Sequence, residues 1–119
     1  MTHKDLDVWK LSMDMVVDVY HITDSLPKSE VFGLTSQIRR AAVSIPSNIA
    51  EGAARKNKKE LIQFLYISLG SISEVETQIE ICERLRFIAH SDELNGKIDK
   101  IRRMLVGLIR KLKNSDELK

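Results

Sequence analysis

The sequence predicts an all-α protein, an antiparallel up-down-up-down four-helix bundle in which residues 1–119 form a single domain. Three observations predict this fold. Apolar residues recur at alternating three- and four-residue steps in four segments, which is the spacing of one helix face. The clusters SLPKSEVFG, RKNKKE and AHSDELNG separate these segments and are short enough to favour antiparallel neighbours. No segment shows the two-residue alternation of a half-buried strand.

The composition is that of a helix-rich globular chain. Apolar residues make up 43% and charged residues 30%, a balance that argues against disorder. No apolar run is long enough to span a bilayer, and the N-terminal MTHKDLDVWK lacks a signal-peptide core, so we expect a cytoplasmic protein. The single cysteine, Cys82, cannot form an intrachain disulfide and is expected to be a buried thiol in a reducing compartment.

The first predicted helix carries two apolar stripes. Its seam toward the bundle is assigned to Leu6, Trp9, Met13, Val16 and Tyr20, and Pro27 follows its end. The second stripe is offset by two residues, which is about 200° around a helix. It consists of Val8, Leu11, Met15, Val19, Ile22 and Leu26. An apolar stripe that faces outward favours a homo-oligomer interface; the alternative is that neighbouring loops around residues 31–32 cover it.

The second predicted helix runs from about Leu34 to Arg55 and contains Pro46 near its middle. A proline inside a helix removes one amide donor and clashes with the preceding turn, so it kinks or interrupts the helix. Ser44 and Ser47 are close enough to offer hydroxyls to the disrupted turn. Two structures remain open, a continuous helix with a kink and two helices of which the second restarts at Asn48.

The third and fourth predicted helices have recognisable starts. Asn57 followed by Glu60 has the spacing of a capping box, and Ser91 precedes two acids as an N-cap does. In the third helix the core face carries Leu61, Leu65, Ile72, Val75, Ile79 and Cys82. In the fourth it carries Leu94, Ile98, Ile101, Leu105, Leu108 and Leu112, an unbroken helical spacing that predicts a long amphipathic helix.

A polar stripe follows one face of the second helix. It is formed by Gln37, Arg40, Ser44, Ser47 and Glu51, which share the helical rhythm and lie beside small residues. The ordinary interpretation is a solvated face. The alternative is an enclosed face that receives another helix or a protein partner, in which Glu51 would pair with a nearby arginine because an unpaired buried charge is costly.

The run GLTSQIRRAAVSIPSNIAEGAAR resembles the signature of the small bacterial four-helix bundle proteins encoded by intervening sequences within 23S ribosomal RNA genes. The flanking DVWKLSMDMVVDVY and ELIQFLYISLGSISEVETQIEI are similar to the rest of that family, so the resemblance covers nearly the whole chain. The matching signature positions are Arg39, Arg40, Ser44, Pro46, Ser47, Asn48, Glu51 and Gly52.

This resemblance implies a four-helix bundle that assembles as a ring-forming homopentamer, and it assigns no catalytic role to the signature residues. The family is also similar to the accessory variability protein of diversity-generating retroelements. That similarity implies a basic pentameric barrel that works with a reverse transcriptase and nucleic acid. The formal net charge of +2 is smaller than such a role leads one to expect.

Basic residues cluster in RKNKK and in KIDKIRRMLVGLIRKLK, and we expect them to form a composite strip along the second and fourth helices. Such a strip binds RNA or DNA phosphates with little sequence preference. The candidate residues are Arg39, Arg40, Arg55, Lys56, Lys58, Lys59, Arg102, Arg103, Arg110 and Lys111. The alternative is that these side chains solvate outer faces and pair with acids of the third helix; none of the six aromatic residues interleaves with the basic runs in sequence.

Catalytic and metal-binding patterns are absent from the sequence. Asp18 and His21 share a helical spacing found in carboxylate-bridged metal sites, but no second copy accompanies them. We therefore expect no enzymatic activity, no cofactor, no metal, no membrane and no small-molecule substrate. The sequence predicts a non-enzymatic homo-oligomeric scaffold or accessory protein that binds RNA or DNA, with a protein-interaction module that binds no nucleic acid as the alternative.

Overall fold

Four long helices run up and down beside one another in the computed structural model, which describes residues 2–115. They are α1 (Asp7–Thr23), α2 (Leu34–Ala53), α3 (Lys58–Arg84) and α4 (Asp92–Asn114). Each helix packs against the next and α4 returns against α1, whereas the diagonal pairs have no Cα atoms within 8 Å of each other in the described residues. The predicted all-α four-helix bundle is therefore confirmed, and it measures 52 × 24 × 20 Å.

The helix starts predicted from the sequence are confirmed by their hydrogen bonds. The Asn57 side chain accepts from the backbone N–H of Glu60 at 2.9 Å, and the Ser91 hydroxyl accepts from that of Leu94 at 3.1 Å. Each bond satisfies one of the amide donors that a helix N-terminus leaves without an intrahelical partner. Short 3-10 turns precede α1 and α2, at His3–Asp5 and Lys28–Glu30.

The core lies between the four helices and follows the predicted stripes of α3 and α4. Ile45, Ile72 and Ile101 are fully buried at its centre. Cys82 is buried as predicted, and its burial raises the pKa of its thiol, with a smaller contribution from Glu30. Sequence periodicity therefore places most of the core correctly.

The inward face of α1 is the stripe that the sequence assigned to an oligomer interface. Val8, Met15 and Val19 are buried in the core, and Leu11 and Ile22 are half-buried against it. The interface prediction is wrong for Val8, Met15 and Val19, because their own chain already covers them; for Leu11 and Ile22 it stays a prediction. The alternative of loop cover is wrong as well: Val31 is exposed, and Phe32 is 97% exposed and covers nothing.

The stripe assigned to the core of α1 points outward instead. Met13 and Tyr20 are exposed, and Trp9 and Val16 are only half-buried. The periodicity identified both stripes but not their direction, because both are apolar. The inward face even carries Ser12, whose hydroxyl donates to the Val8 carbonyl at 2.7 Å and so tolerates burial.

Helix α2 continues through Pro46 from Leu34 to Ala53, so the alternative of two separate helices is wrong. The predicted kink stays a prediction. Pro46 is buried, and the side chains beside it are hydrogen-bonded: the Asn48 amide donates to the Ser44 carbonyl at 2.8 Å and to the Ser44 hydroxyl at 2.9 Å. The Ser68 hydroxyl of α3 adds a donor to the Ile45 carbonyl at 2.9 Å.

The α2–α3 seam, which we define by Ser44, Gly52, Ser68 and Ser71, is the closest helix contact in the bundle. The hydroxyls of Ser44 and Ser71 lie 3.0 Å apart. A Cβ added to Gly52 would come within 2.8 Å of the Phe64 Cβ, nearer than two such atoms approach in real structures. Only a residue without a side chain lets the helices meet at this point.

Candidate nucleic-acid interface

Charge is sorted along the length of the bundle. We call the end where α3 begins and α4 ends the basic end. Contacts between the two helices bring it together: the Lys58 ammonium donates to the Ser115 hydroxyl at 3.1 Å, and the Lys113 ammonium to the Tyr66 hydroxyl at 2.8 Å. It comprises Arg55, Lys56, Lys58, Lys59, Arg110, Lys111 and Lys113.

Few acids oppose this cluster in the described residues. Glu51 and Glu60 both pair with Arg55, at 2.7 and 3.6 Å. The start of α1 lies at the same end and contributes both signs, Lys4 and Lys10 against Asp5 and Asp7. The other end of the bundle, which we call the acidic end, carries Asp24, Glu30, Glu80, Glu83, Asp92 and Glu93, and the cations Lys28, Arg39, Arg84 and Arg86 balance part of their charge.

Arg39 is a structural residue of the acidic end and not a free phosphate ligand. Its guanidinium pairs with Asp24 at 3.0 Å and donates to the Thr23 hydroxyl at 2.9 Å. It also donates to the Tyr20 carbonyl at 3.2 Å and lies 4.5 Å from the centroid of that ring. These contacts tie α2 to the end of α1, so the nucleic-acid prediction is wrong for Arg39.

Three further arginines also form ion pairs with acids of their own chain: Arg55, Arg102 and Arg103. Arg55 holds both neighbouring glutamates and lies over the Phe64 ring, 4.8 Å from its centroid. Arg102 pairs with Glu76 of α3, and Arg103 with Asp99 at 3.1 Å. For these residues the structure follows the alternative that basic side chains of the bundle pair locally.

The composite strip along the second and fourth helices does not form, because α2 and α4 are diagonal members of the bundle. Arg40 lines a groove with Ser71 and Glu74 on one side of α3. Arg110 lines another, with Tyr66 and Leu69. The predicted strip is therefore wrong, since α3 separates the two sets of cations.

Five of the predicted candidates make no ion pair with the described residues: Arg40, Lys56, Lys59, Arg110 and Lys111. Four of these five lie at the basic end, and all five are exposed. Lys58 differs, because its ammonium bonds to Ser115. Among the predicted candidates, those without such an ion pair are thus concentrated at one end of the molecule.

An open groove between α3 and α4 reaches this end and was missed at the level of sequence. Its volume is about 250 Å³; Leu69, Val106 and Ile109 form its apolar wall, and Arg110 and Lys113 its basic rim. Tyr66 also lines it, 46% exposed, with the Lys113 ammonium 5.1 Å from its ring centroid. An aromatic ring does lie among the basic residues here, contrary to the expectation from sequence.

The position of Tyr66 beside the basic residues could have been predicted from the pairing of antiparallel helices. Tyr66 follows the start of α3 at Lys58, and Lys113 precedes the end of α4 at Asn114. Antiparallel helices joined by a short connection bring the start of one beside the end of the next. Counted from the connection between the helices, Tyr66 lies 18 residues before Arg84 and Lys113 lies 21 residues after Asp92 (84 − 66 and 113 − 92), which places the two within about one helical turn although 47 positions separate them in sequence.

Part of the polar stripe of α2 is bonded within the bundle. Ser44 is bonded to Asn48 and Ser71, and Glu51 pairs with Arg55 and not with Arg39 or Arg40. Pro46 and Gly52 are buried, whereas Ser47 is exposed. Ser44 and Gly52 thus join α2 to α3, and Arg39 joins α2 to α1, which gives these three signature residues a structural role.

The histidines and acids form no convergent ligand set. Asp18 pairs with Lys97, and the two ring nitrogens of His90 face different acids, Glu83 at 3.2 Å and Asp92 at 2.9 Å. Throughout residues 2–115, no three such side chains are placed to hold a metal ion. Nor does any helix there combine the length and hydropathy that a bilayer span requires.

The fold and this charge pattern define a small four-helix bundle protein with an exposed basic end. The family model for the 23S rRNA-intervening sequence protein matches residues 4–107, and the chain belongs to that family. Among curated proteins, none matches the chain. The family description names an intervening sequence in ribosomal RNA and no activity.

Proposed function

We propose that this protein is a non-enzymatic, homo-oligomeric accessory protein of the cytoplasm that binds RNA or DNA through its basic end. The observation that carries the proposal is the distribution of available cations. Lys56, Lys59, Arg110 and Lys111 lack carboxylate partners among the described residues and share one end. Elsewhere Arg39, Arg102 and Arg103 are paired, and Lys28, Arg40 and Lys100, which are unpaired among the same residues, lie on separate parts of the bundle. Unpaired surface cations bind phosphate by displacing counterions, with little sequence preference.

Self-association is proposed through the outward stripe of α1, at Met13 and at Val17 one turn further on, in place of the stripe predicted from sequence. Val17 is 54% exposed, and the exposed Val43 of α2 lines a groove together with Met13. Tyr20 is left out of this contact, because the Arg39 guanidinium lies over its ring. Apolar patches on the surface of a helical bundle commonly mark contacts with another chain. A closed ring of identical chains, five by resemblance to the family, would multiply the basic ends on one assembly.

Self-association is tested by light scattering on the full chain at high concentration. Val17→Glu places a charge on the outward stripe and is expected to yield monomers while leaving the helical circular dichroism unchanged. Thr77→Glu, on an exposed face of α3, serves as the matched control. A monomeric parent protein, or identical masses for the two variants, would remove this part of the proposal.

Nucleic-acid binding is tested by fluorescence titration of labelled RNA and duplex DNA at about 50 mM and about 200 mM salt. The parent protein is expected to bind more weakly at the higher salt. The double variant Lys59→Glu/Lys111→Glu should bind at least about 10-fold more weakly, with a shallower salt dependence. The control Lys28→Glu/Lys100→Glu makes the same change in net charge away from the basic end and should bind like the parent.

The second candidate is a protein-interaction module without nucleic-acid binding. It is favoured by the open groove between α1 and α2, which is lined by Trp9, Met13, Val16, Val43 and Pro46 and has no lysine or arginine among the described side chains that line it. The same titration separates the candidates. If both double variants bind nucleic acid with the same affinity at either salt concentration, or if the parent protein does not bind it, the protein-interaction module is favoured.

A further inference from the structure

We propose that the groove at Tyr66 holds one unpaired nucleotide, with its base against the apolar wall and the tyrosine ring and its phosphate on Arg110 and Lys113. This inference rests on the proposed nucleic-acid function and deepens it. It assigns single-stranded RNA or DNA, or a single-stranded segment within a longer molecule, as the preferred ligand of the basic end.

The groove has the two surfaces that a nucleotide needs. Leu69, Val106 and Ile109 supply apolar contact, and Tyr66 supplies a half-exposed π-face. At about 250 Å³ the groove lies just below the range of about 300–1,000 Å³ typical of sites for drug-sized ligands, so it suits one small flat group. Base stacking on an aromatic side chain is the usual way in which proteins hold single strands without reading sequence.

The cations stand at the rim of the same groove. Arg110 makes no ion pair with the described residues, and the hydrogen-bond acceptor that the structure gives the Lys113 ammonium is the Tyr66 hydroxyl, at 2.8 Å. Lys113 is exposed on a flexible four-carbon stem. Its ammonium moves from the ring to the phosphate when a base takes its place over Tyr66, so it exchanges a neutral hydroxyl for a charged partner.

A base in a duplex cannot make this contact. Both of its faces are already stacked on its neighbours, and it must leave the helix to enter a protein groove. A single strand offers its bases without that cost. The groove therefore separates single strands from duplexes, whereas Lys59 and Lys111 attract the phosphates of both.

The other exposed tyrosine provides a matched control. Tyr20 is 40% exposed and lies under a guanidinium, as Tyr66 lies under an ammonium. It sits near the acidic end, however, and the Arg39 that covers it is held by Asp24. Removing either ring takes away a similar exposed area, but only Tyr66 adjoins cations that are free to bind phosphate.

The test measures binding of a labelled single strand of about 20 nucleotides and of the same strand annealed to its complement. This length exceeds the site size of about 4–16 nucleotides that is typical of one binding module. Tyr66→Ala should weaken single-strand binding about 10-fold and leave duplex binding unchanged. Tyr66→Phe keeps the ring and should bind like the parent. Tyr20→Ala should bind both ligands like the parent, and Lys59→Glu/Lys111→Glu should weaken both.

The outcomes separate the two levels of the proposal. If Tyr66→Ala and Tyr20→Ala bind the single strand equally well, or if Tyr66→Ala weakens duplex binding as much, the groove inference is overturned while binding at the basic end stands. If the parent protein binds neither ligand, the proposed function itself fails. Thermal melting of each variant identifies any loss of binding that comes from unfolding.

Discussion

Helix α3 meets its two neighbours in different ways. Along the α2–α3 seam the contact is close, and hydroxyl groups hydrogen-bond inside it, as in the bond from Ser68 to the Ile45 carbonyl. Along the α3–α4 seam, which we define by the pairs Glu76–Arg102, Tyr66–Lys113 and Lys58–Ser115, long polar side chains bridge the helices at the surface. The serine hydroxyls of the first seam are hydrogen-bonded, and the groove beside it carries both signs of charge, Arg40 and Glu74. At the rim of the groove of the second seam, both charged residues that the structure describes are cations.

The difference shows where binding chemistry is available. Signature residues such as Ser44 and Gly52 are used to bring two helices together, so their unusual character reflects packing. The groove at Tyr66 exists because bridging side chains hold α3 and α4 without filling the space between them. The less distinctive part of the sequence therefore carries the better candidate site.

The largest effect is expected at the point of closest approach. Gly52→Ala forces a Cβ against Phe64 and should destabilise the fold by about 1–3 kcal/mol through overpacking. Gly70→Ala is the matched control, because a Cβ there meets nothing within 4 Å; it should stabilise α3 by about 0.5–1 kcal/mol. Urea denaturation measures both, and effects of the same sign would contradict the close α2–α3 seam.

A smaller loss is expected from the buried hydroxyl of the same seam. Ser68→Ala removes the donor to the Ile45 carbonyl and should cost about 0.5–1.5 kcal/mol. The loss should be the same at low and high salt, because neither group is charged. Ser73→Ala, at an exposed position of α3, should change stability by less than about 0.5 kcal/mol. Equal losses at the two positions would mean that the buried bond contributes nothing.

The surface bridge of the α3–α4 seam is expected to contribute less. Arg102→Met keeps the apolar stem and removes the ion pair with Glu76, in which both side chains are partly exposed. The cost should be about 0.2–1 kcal/mol at low salt and should shrink toward zero near 1 M salt, where charges are screened. A double-mutant cycle with Glu76→Gln isolates the pair. A salt-independent loss would show that Arg102 acts by packing.

The smallest effect is a pH dependence at the turn between α3 and α4. Hydrogen bonds to Asp92 and then Glu83 raise the pKa of His90 above its ordinary value of about 6.5. Because the raised pKa belongs to the folded state, the stabilisation is complete below about pH 6.5 and is lost as the pH rises through the folded pKa. The melting temperature of His90→Ala should fall further below that of the parent protein at pH 6 than at pH 8. A difference in melting temperature that grows with pH would contradict this sign.

The sequence predicted the helices and their caps well, because those features depend on local spacing. Asn57 and Ser91 cap α3 and α4 as expected, and the buried positions of α4 follow from its spacing. The direction of α1 could not be predicted, since Met13 and Met15 lie on two stripes of similar apolar character. Which stripe turns inward depends on how the other three helices pack.

The candidate site was harder to predict for a related reason. The basic segments were recognisable, but whether a cation is free depends on acids that are distant in sequence, such as Asp24 for Arg39 and Glu76 for Arg102. The position of a ring among cations depends on helix register, as for Tyr66 and Lys113. Contacts of this kind are decided by tertiary structure and leave no local pattern.

The sorting of charge along a 52 Å molecule has an electrostatic consequence. One tip is cationic, whereas the carboxylates of the other tip are partly balanced by Lys28, Arg39, Arg84 and Arg86. A rod with this unequal distribution has a dipole, so the field of a polyanion would turn it before contact and draw it in with the basic tip first. Molecules seated in this way would turn their nearly neutral tip to the solvent, where a second strand would find no concentrated positive charge.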